Sequence, residues 1–192
     1  MRYIPQIIAI ASLFFTVSVF AQMHEREPQM RLTLQAGIEV PTGDFANSAL
    51  TGYGLNGTFE YWQNTPLAFT GSVGYNHFGA SGDLPDNWDY SFTDVPVLLG
   101  IRYYLSRGDF HPYLGAELGL HFLTFSRTMV EGNTTTTVDH SSSKFGLDPL
   151  FGFRYHLSRT TDLDFNLKYN IITTDGGNTD FLGVNGGVQI AL

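Results

Sequence analysis

Leu32-Thr33-Leu34-Gln35-Ala36-Gly37-Ile38-Glu39-Val40 carries an apolar side chain at almost every second position, with polar or small residues between. A period of two belongs to a β-strand, whose successive side chains point to opposite faces, so this stretch reads as a strand with one apolar and one polar face. The same pattern marks 31–40, 52–63, 67–78, 95–105, 112–125, 145–157, 163–173 and 181–192. Each has about the ~9–11 residues that a tilted strand needs to cross the hydrocarbon of a bilayer. The connectors alternate in length: 64–66, 106–111 and 158–162 are short, whereas 41–51, 79–94, 126–144 and 174–180 are longer and rich in Gly, Asp, Asn, Ser and Thr. Short turns on one side and long loops on the other, with an even number of strands, are the signature of an up-and-down barrel threading a membrane. The fold expected is therefore all-β, an eight-stranded antiparallel transmembrane β-barrel. Pro149 falls inside the sixth strand and is expected to mark a bulge or a later strand start.

The N-terminus has a different pattern. Arg2 precedes an apolar run over 7–20, and Val19-Phe20-Ala21 presents acceptable residues for cleavage before Gln22. The run is short of the ~20 residues of a spanning helix, so residues 1–21 are expected to be a cleaved secretory signal peptide. Residues 22–30 then form a flexible leader and 31–192 the barrel. Removing 1–21 takes away Arg2 and no acid, so the formal charge goes from −8 to −8 − 1 = −9. An acidic chain is a poor match for nucleic acid or for anionic headgroups. With no cysteine there is neither a disulfide framework nor a thiolate metal site. Charged residues make up only 15% of the chain, against about 25% in ordinary domains, which suits a sheet whose outer face meets lipid.

Alternation alone leaves two barrels open, because a soluble carrier of the lipocalin kind inverts the faces of a membrane barrel. A water-facing outer wall would carry many Lys and Glu. The polar face here instead carries small residues, among them Gly54, Thr58, Ser72, Gly100, Gly119 and Gly152, which fit the narrow lumen of eight strands. A membrane barrel is therefore expected, with a periplasmic carrier of a small apolar ligand as the alternative. Aromatics near the strand ends (Tyr61, Trp62, Tyr103, Tyr104, Tyr113 and Tyr155 toward the turns; Tyr75, Phe78, Phe122, Phe125 and Phe181 toward the loops) read as interfacial girdles. Leu118→Arg on the outer face is expected to cost more than Gly119→Ser on the inner one.

The polar face also carries charge. Glu60, Arg102 and Arg154 sit a few residues before short turns, and Glu117 and Lys168 a similar distance after them, which puts all five at one height in the turn-side half of the lumen. Asp164 and His156 lie slightly nearer the turns. Opposite charges confined in a low-dielectric space should pair. Glu60, Arg102, Glu117, Arg154, Lys168 and Asp164 are thus expected to form a belt of ion pairs that closes the lumen to solutes, the alternative being a small wet cavity lined by these groups.

Catalysis is not expected. His156-Leu157-Ser158 and Asp139-His140-Ser141 contain triad residue types, but neighbours on a strand point to opposite faces, and a nucleophile, base and orienting acid must converge. Asp83, Asp86, Asp89 and Asp94 lack the spacing of a calcium loop and read as a solvated acidic loop. No metal or other cofactor is expected.

Several phrases resemble the small eight-stranded outer-membrane barrels of Gram-negative bacteria (OmpA-like, OmpX-like and OmpW-like), which make up an outer-membrane β-barrel or porin family. They are Pro41-Thr42-Gly43-Asp44-Phe45, Gly100-Ile101-Arg102-Tyr103-Tyr104-Leu105, Pro112-Tyr113-Leu114-Gly115-Ala116-Glu117-Leu118-Gly119, and Gly152-Phe153-Arg154-Tyr155 followed by Asp162-Leu163-Asp164-Phe165 and Lys168-Tyr169. The resemblance covers essentially all of 31–192. It implies residence in the outer membrane, contact with its lipid and lipopolysaccharide, and delivery by the barrel-insertion machinery through the last strand. It also implies a monomer with a structural or surface-interaction role, or a very narrow pore; a lipid A-modifying enzyme is the remote alternative. The last strand ends Ala191-Leu192 where such barrels usually end in an aromatic residue, and no peptidoglycan-binding segment follows, so a cell-wall tether is not expected.

Overall fold

The computed structural model describes residues 30–64, 66–80, 88–106, 108–131, 134–174 and 177–192. The signal segment 1–21 and leader residues 22–29 lie outside the described residues. Met30, assigned to the leader, opens the first strand. The strands are β1 (Met30–Thr42), β2 (Gly52–Asn64), β3 (Leu67–Gly79), β4 (Trp88–Tyr104), β5 (Phe110–Glu131), β6 (Thr134–His156), β7 (Thr161–Thr174) and β8 (Gly177–Ala191). Each pairs antiparallel with its neighbour, and β1 pairs with β8, so the sheet closes into a barrel.

Alternation is what turns this ladder into a two-sided wall. Leu34, Leu55, Leu99, Leu118, Phe151, Leu167 and Val184 all point outward, with Leu99 70% exposed. Thr33, Thr58, Glu117, Asn166 and Asn185 point inward and are buried. An uninterrupted band of bare apolar side chains is stable only in lipid, where strands must close on themselves because no water is present to satisfy an open edge. The inversion that a soluble carrier requires is absent from the described residues.

Three features differ from the sequence expectation. Connector 126–144 is largely strand and 79–94 is strand from Trp88 onward: β4 starts there, and β5 and β6 stay paired out to Glu131↔Thr134. Polar composition suggested loop, yet Thr and Ser pair well across a ladder: the hydroxyls of Thr124 and Ser141 lie 3.1 Å apart, as do those of Thr128 and Thr137. Pro149 makes neither a bulge nor a strand start. The β6–β7 ladder runs to Leu147↔Ile171 and resumes at Leu150↔Lys168 in the same register, so the proline removes pairing without inserting a residue. Pro96 lies in a matching gap between Val73↔Val97 and Asn76↔Asp94 on the β3–β4 side.

The third difference is in the aromatics. Tyr61, Tyr103 and Tyr155 face outward as expected, but their neighbours do not: Tyr104 is 3% exposed and Tyr113 is fully buried. Both belong to an interior cluster with Ala68 and Leu150, against which Trp62 packs. At the loop end Phe78 and Phe181 are likewise inside, packed with Phe45, Ala49, Leu123 and Ile172. A shift of one residue moves a side chain to the other face of a strand, and closeness to a strand end says nothing about which face it takes.

Candidate functional site: the barrel lumen

The charged residues of the polar face converge. Arg102, buried on β4, is the hub: its guanidinium lies 3.4 Å from Glu60 of β2, 3.7 Å from Glu117 of β5 and 3.9 Å from Asp164 of β7. Lys168 of β7 donates to Glu117 at 2.8 Å. Arg154 of β6 reaches Glu60 at 3.8 Å and Asp162 at 3.5 Å, and donates to Gln189 at 2.7 Å. Arg31 of β1 closes the series on Asp162. The network thus joins four cations (Arg31, Arg102, Arg154, Lys168) to four carboxylates (Glu60, Glu117, Asp162, Asp164). Its formal charge cancels, which a low-dielectric interior requires.

The Arg102–Asp164 and Arg154–Glu60 contacts cross the lumen, since they join strands on different sides of the barrel, while Arg102–Glu117 and Arg154–Asp162 link neighbouring strands. Neutral donors add to them. Tyr104 donates to both oxygens of Glu60 at 3.0 Å, Tyr113 to Asp164 at 2.8 Å, Gln35 to Asp164 at 2.8 Å and Ser72 to Glu117 at 3.0 Å. Two guanidiniums also rest on aromatic faces: Arg154 lies 4.7 Å from the Tyr104 ring centroid and 5.0 Å from that of Trp62, and Arg102 lies 5.0 Å from that of Tyr113. A cation over a ring gains from the ring quadrupole, and more when water is excluded. The glycines of the polar face make the room: a Cβ at Gly152 would stand 2.5 Å from Tyr113 Cζ, and one at Gly100 2.6 Å from Glu117 Cγ.

Six residues were expected in a belt (Glu60, Arg102, Glu117, Arg154, Lys168, Asp164), and the structure brings all six together, adding Asp162 and Arg31. His156 belongs to the rim, where its Nδ1 lies 2.6 Å from Asp162. Two further layers were not expected. Toward the loops, Asp94 of β4, His121 of β5 and Asp148 of β6 meet inside, all fully buried. Asp94 was read as part of a solvated acidic loop, but its position on the inward face of β4 puts it in the lumen. Asp83 and Asp86 lie outside the described residues. Above this trio the Phe45–Phe78–Phe181 cluster fills the mouth. Phe45 comes from a short 3-10 turn, Gly43–Asn47, entered through Gly43 at φ +58°, a conformation that suits glycine. The Phe45 and Phe78 ring centroids are 5.2 Å apart, and those of Phe78 and Phe181 5.1 Å.

The two motif candidates for catalysis do not assemble. His156 turns to Asp162, while the Ser158 hydroxyl accepts the Thr160 N–H at 3.4 Å. On β6, the Ser141 hydroxyl is paired with Thr124. Among the described residues no group of three His, Cys, Asp or Glu is arranged to hold a metal ion.

A closed antiparallel sheet, an apolar outer band and a packed polar interior define an integral membrane β-barrel. The chain belongs to the outer membrane protein beta-barrel domain family, whose model matches residues 7–189. The protein is thereby placed in the outer membrane. No curated protein sequence matches it significantly. Among solved structures it is similar to Neisserial surface protein A (NspA), with TM-score 0.59 and 19% identity, over 85% of this chain and 97% of that one. It is similar also to Ail, the attachment invasion locus protein of Yersinia pestis, solved with the heparin analogue sucrose octasulfate, with TM-score 0.55 and 15% identity over 84% and 99% of the two chains. The outer membrane protease OmpT of Escherichia coli shares the fold at TM-score 0.51 and 7% identity, over 90% and 99%. At such identities the likeness is one of fold.

Proposed function

We propose that this protein is a non-catalytic, non-conducting outer-membrane barrel with a structural and surface-interaction role. The observation that carries the reading is the number of independent obstructions in one lumen. The charged belt crosses the turn-side half, and an aromatic plug fills the loop-side mouth. A solute would have to part buried ion pairs and then displace packed rings, and each step costs several kcal/mol. The paired extension of β5 and β6 beyond the barrel supports a surface role, because it projects an ordered, hydroxyl-rich hairpin on the loop side. Divergence of the His156-Leu157-Ser158 and Asp139-His140-Ser141 groups supports the absence of catalysis, although the fold can host a protease, as OmpT does.

The test is planar-bilayer recording on the refolded protein. Long quiet traces with no stable open level are expected. A reproducible ohmic conductance in the unmodified protein would replace this reading with that of a very narrow pore. Lipopolysaccharide is expected to keep its mass after incubation with the protein, and a change in mass would replace the non-catalytic reading with the enzymatic alternative.

A further inference from the structure

We infer that Asp94, His121 and Asp148 form a buried proton-binding clamp that holds the β4–β5–β6 wall together and releases it when His121 loses a proton. The inference stands apart from the closure of the lumen, since it concerns a different layer and a different readout.

The geometry sets the proton count. His121 Nδ1 lies 3.1 Å from both oxygens of Asp94, and Nε2 lies 3.5 Å from Asp148 Oδ1. An ionised carboxylate only accepts, and a neutral imidazole has one N–H donor and one acceptor nitrogen. Two carboxylates facing the two ring nitrogens are therefore both served only if each nitrogen carries hydrogen. Asp148 sharpens the point: it is fully buried, neither of its oxygens has a hydrogen-bond partner, and the Nε2 edge of His121 at ion-pair distance is the cation that faces it. Asp94 is steadied separately, by the Asn76 side-chain amide donating at 3.0 Å. A neutral His121 would turn a lone pair toward one carboxylate and leave a buried charge unsupported, which costs several kcal/mol.

The surroundings fix what the clamp does. Gly146 of β6 gives the ring its space, since a Cβ there would stand 2.5 Å from Nε2. From the other elements, Lys168 of β7, Glu117 of β5 and Glu39 of β1 lie within charge–charge range of Asp148. The two clamped carboxylates sit at the two interrupted ladders: Asp94, paired with Asn76, borders the β3–β4 gap that holds Pro96, and Asp148 lies with Pro149 inside the β6–β7 gap. Where backbone pairing lapses on both flanks, His121 supplies a side-chain link across β4, β5 and β6. The extended β5–β6 hairpin rises from this same wall, so the clamp couples a proton in the lumen to the base of the surface-exposed segment. The clamp is intact while His121 holds both protons and is lost as rising pH removes one.

The experiment is 15N NMR of the ring nitrogens and amide exchange of the barrel in lipid nanodiscs, as a function of pH. At neutral pH, both His121 nitrogens are expected at imidazolium positions, assigned by their loss in His121→Gln. On going to alkaline pH they should convert to the neutral form in one step. Protection factors in 93–98 and 145–150 should then fall about tenfold in the same step, and His121→Gln should show no such step. Asp148→Asn should move the transition to lower pH by about one unit or more. A single neutral tautomer at neutral pH would overturn the inference, as would a wild-type exchange profile with no step at the His121 transition. Should the variants fail to fold, the wild-type titration alone decides.

Discussion

The turn-side and loop-side halves of the lumen are blocked by different chemistry. Near the turns, Arg102 draws in Glu60, Glu117 and Asp164 from three other strands, and the obstruction is a neutralised ion network. Near the loops, Phe45, Phe78 and Phe181 meet edge to face around Ile172 and Leu123, and the obstruction is hydrocarbon. An ion network is specified by pairing and fails steeply when one partner is removed, because the remaining charges stay buried. An apolar plug is specified by volume and fails gradually, because neighbours can settle into the space. One narrow barrel thus carries a brittle barrier and a compliant one.

That contrast orders the expected effects. Arg102→Ala strands three carboxylates and should cost ~3–5 kcal/mol, read as a drop in the urea midpoint of the lipid-embedded protein; a loss under 1 kcal/mol would mean that the network is solvated. Leu118→Arg puts a charge on the lipid-facing wall beside Glu117 and should cost ~2–4 kcal/mol at mid-membrane. A shift as small as that of an exposed-loop substitution would mean that the faces have been exchanged. Phe181→Leu, in the compliant plug, should cost only about 1 kcal/mol. A cost matching that of Arg102→Ala would erase the distinction between the two halves. Gly119→Ser does not serve as the mild inner-face control that its position suggests: a Cβ there would stand 2.3 Å from the Val97 carbonyl oxygen, a backbone atom that has no room to yield.

The same contrast explains what could be read from the chain. The strands, the sidedness of the connectors and the outward face followed from alternation, because a closed sheet in lipid permits few exceptions to it. The belt was legible because a charge on the inward face of a membrane strand has nowhere to go but toward another charge, and its distance from a short turn gives its height. The aromatic layers were misplaced for a matching reason. A tyrosine or phenylalanine near a strand end suits either the interface or a packed lumen, and only its parity with Arg102 or Glu60 separates Tyr104 from Tyr103. The clamp was hidden differently. Asp94 lay in a stretch whose Gly, Asp and Ser content read as loop, while the Pro96 and Pro149 interruptions that isolate it become visible only once the register on both flanks is known.

Closure of the lumen is the claim on which the functional reading rests, and single-channel recording of the unmodified protein in a planar bilayer tests it most directly. Quiet traces at all holding potentials, with no reproducible open level, are predicted. A steady conductance that persists across many insertions would contradict the account, because neither a paired charge belt nor a packed aromatic plug leaves a path for ions.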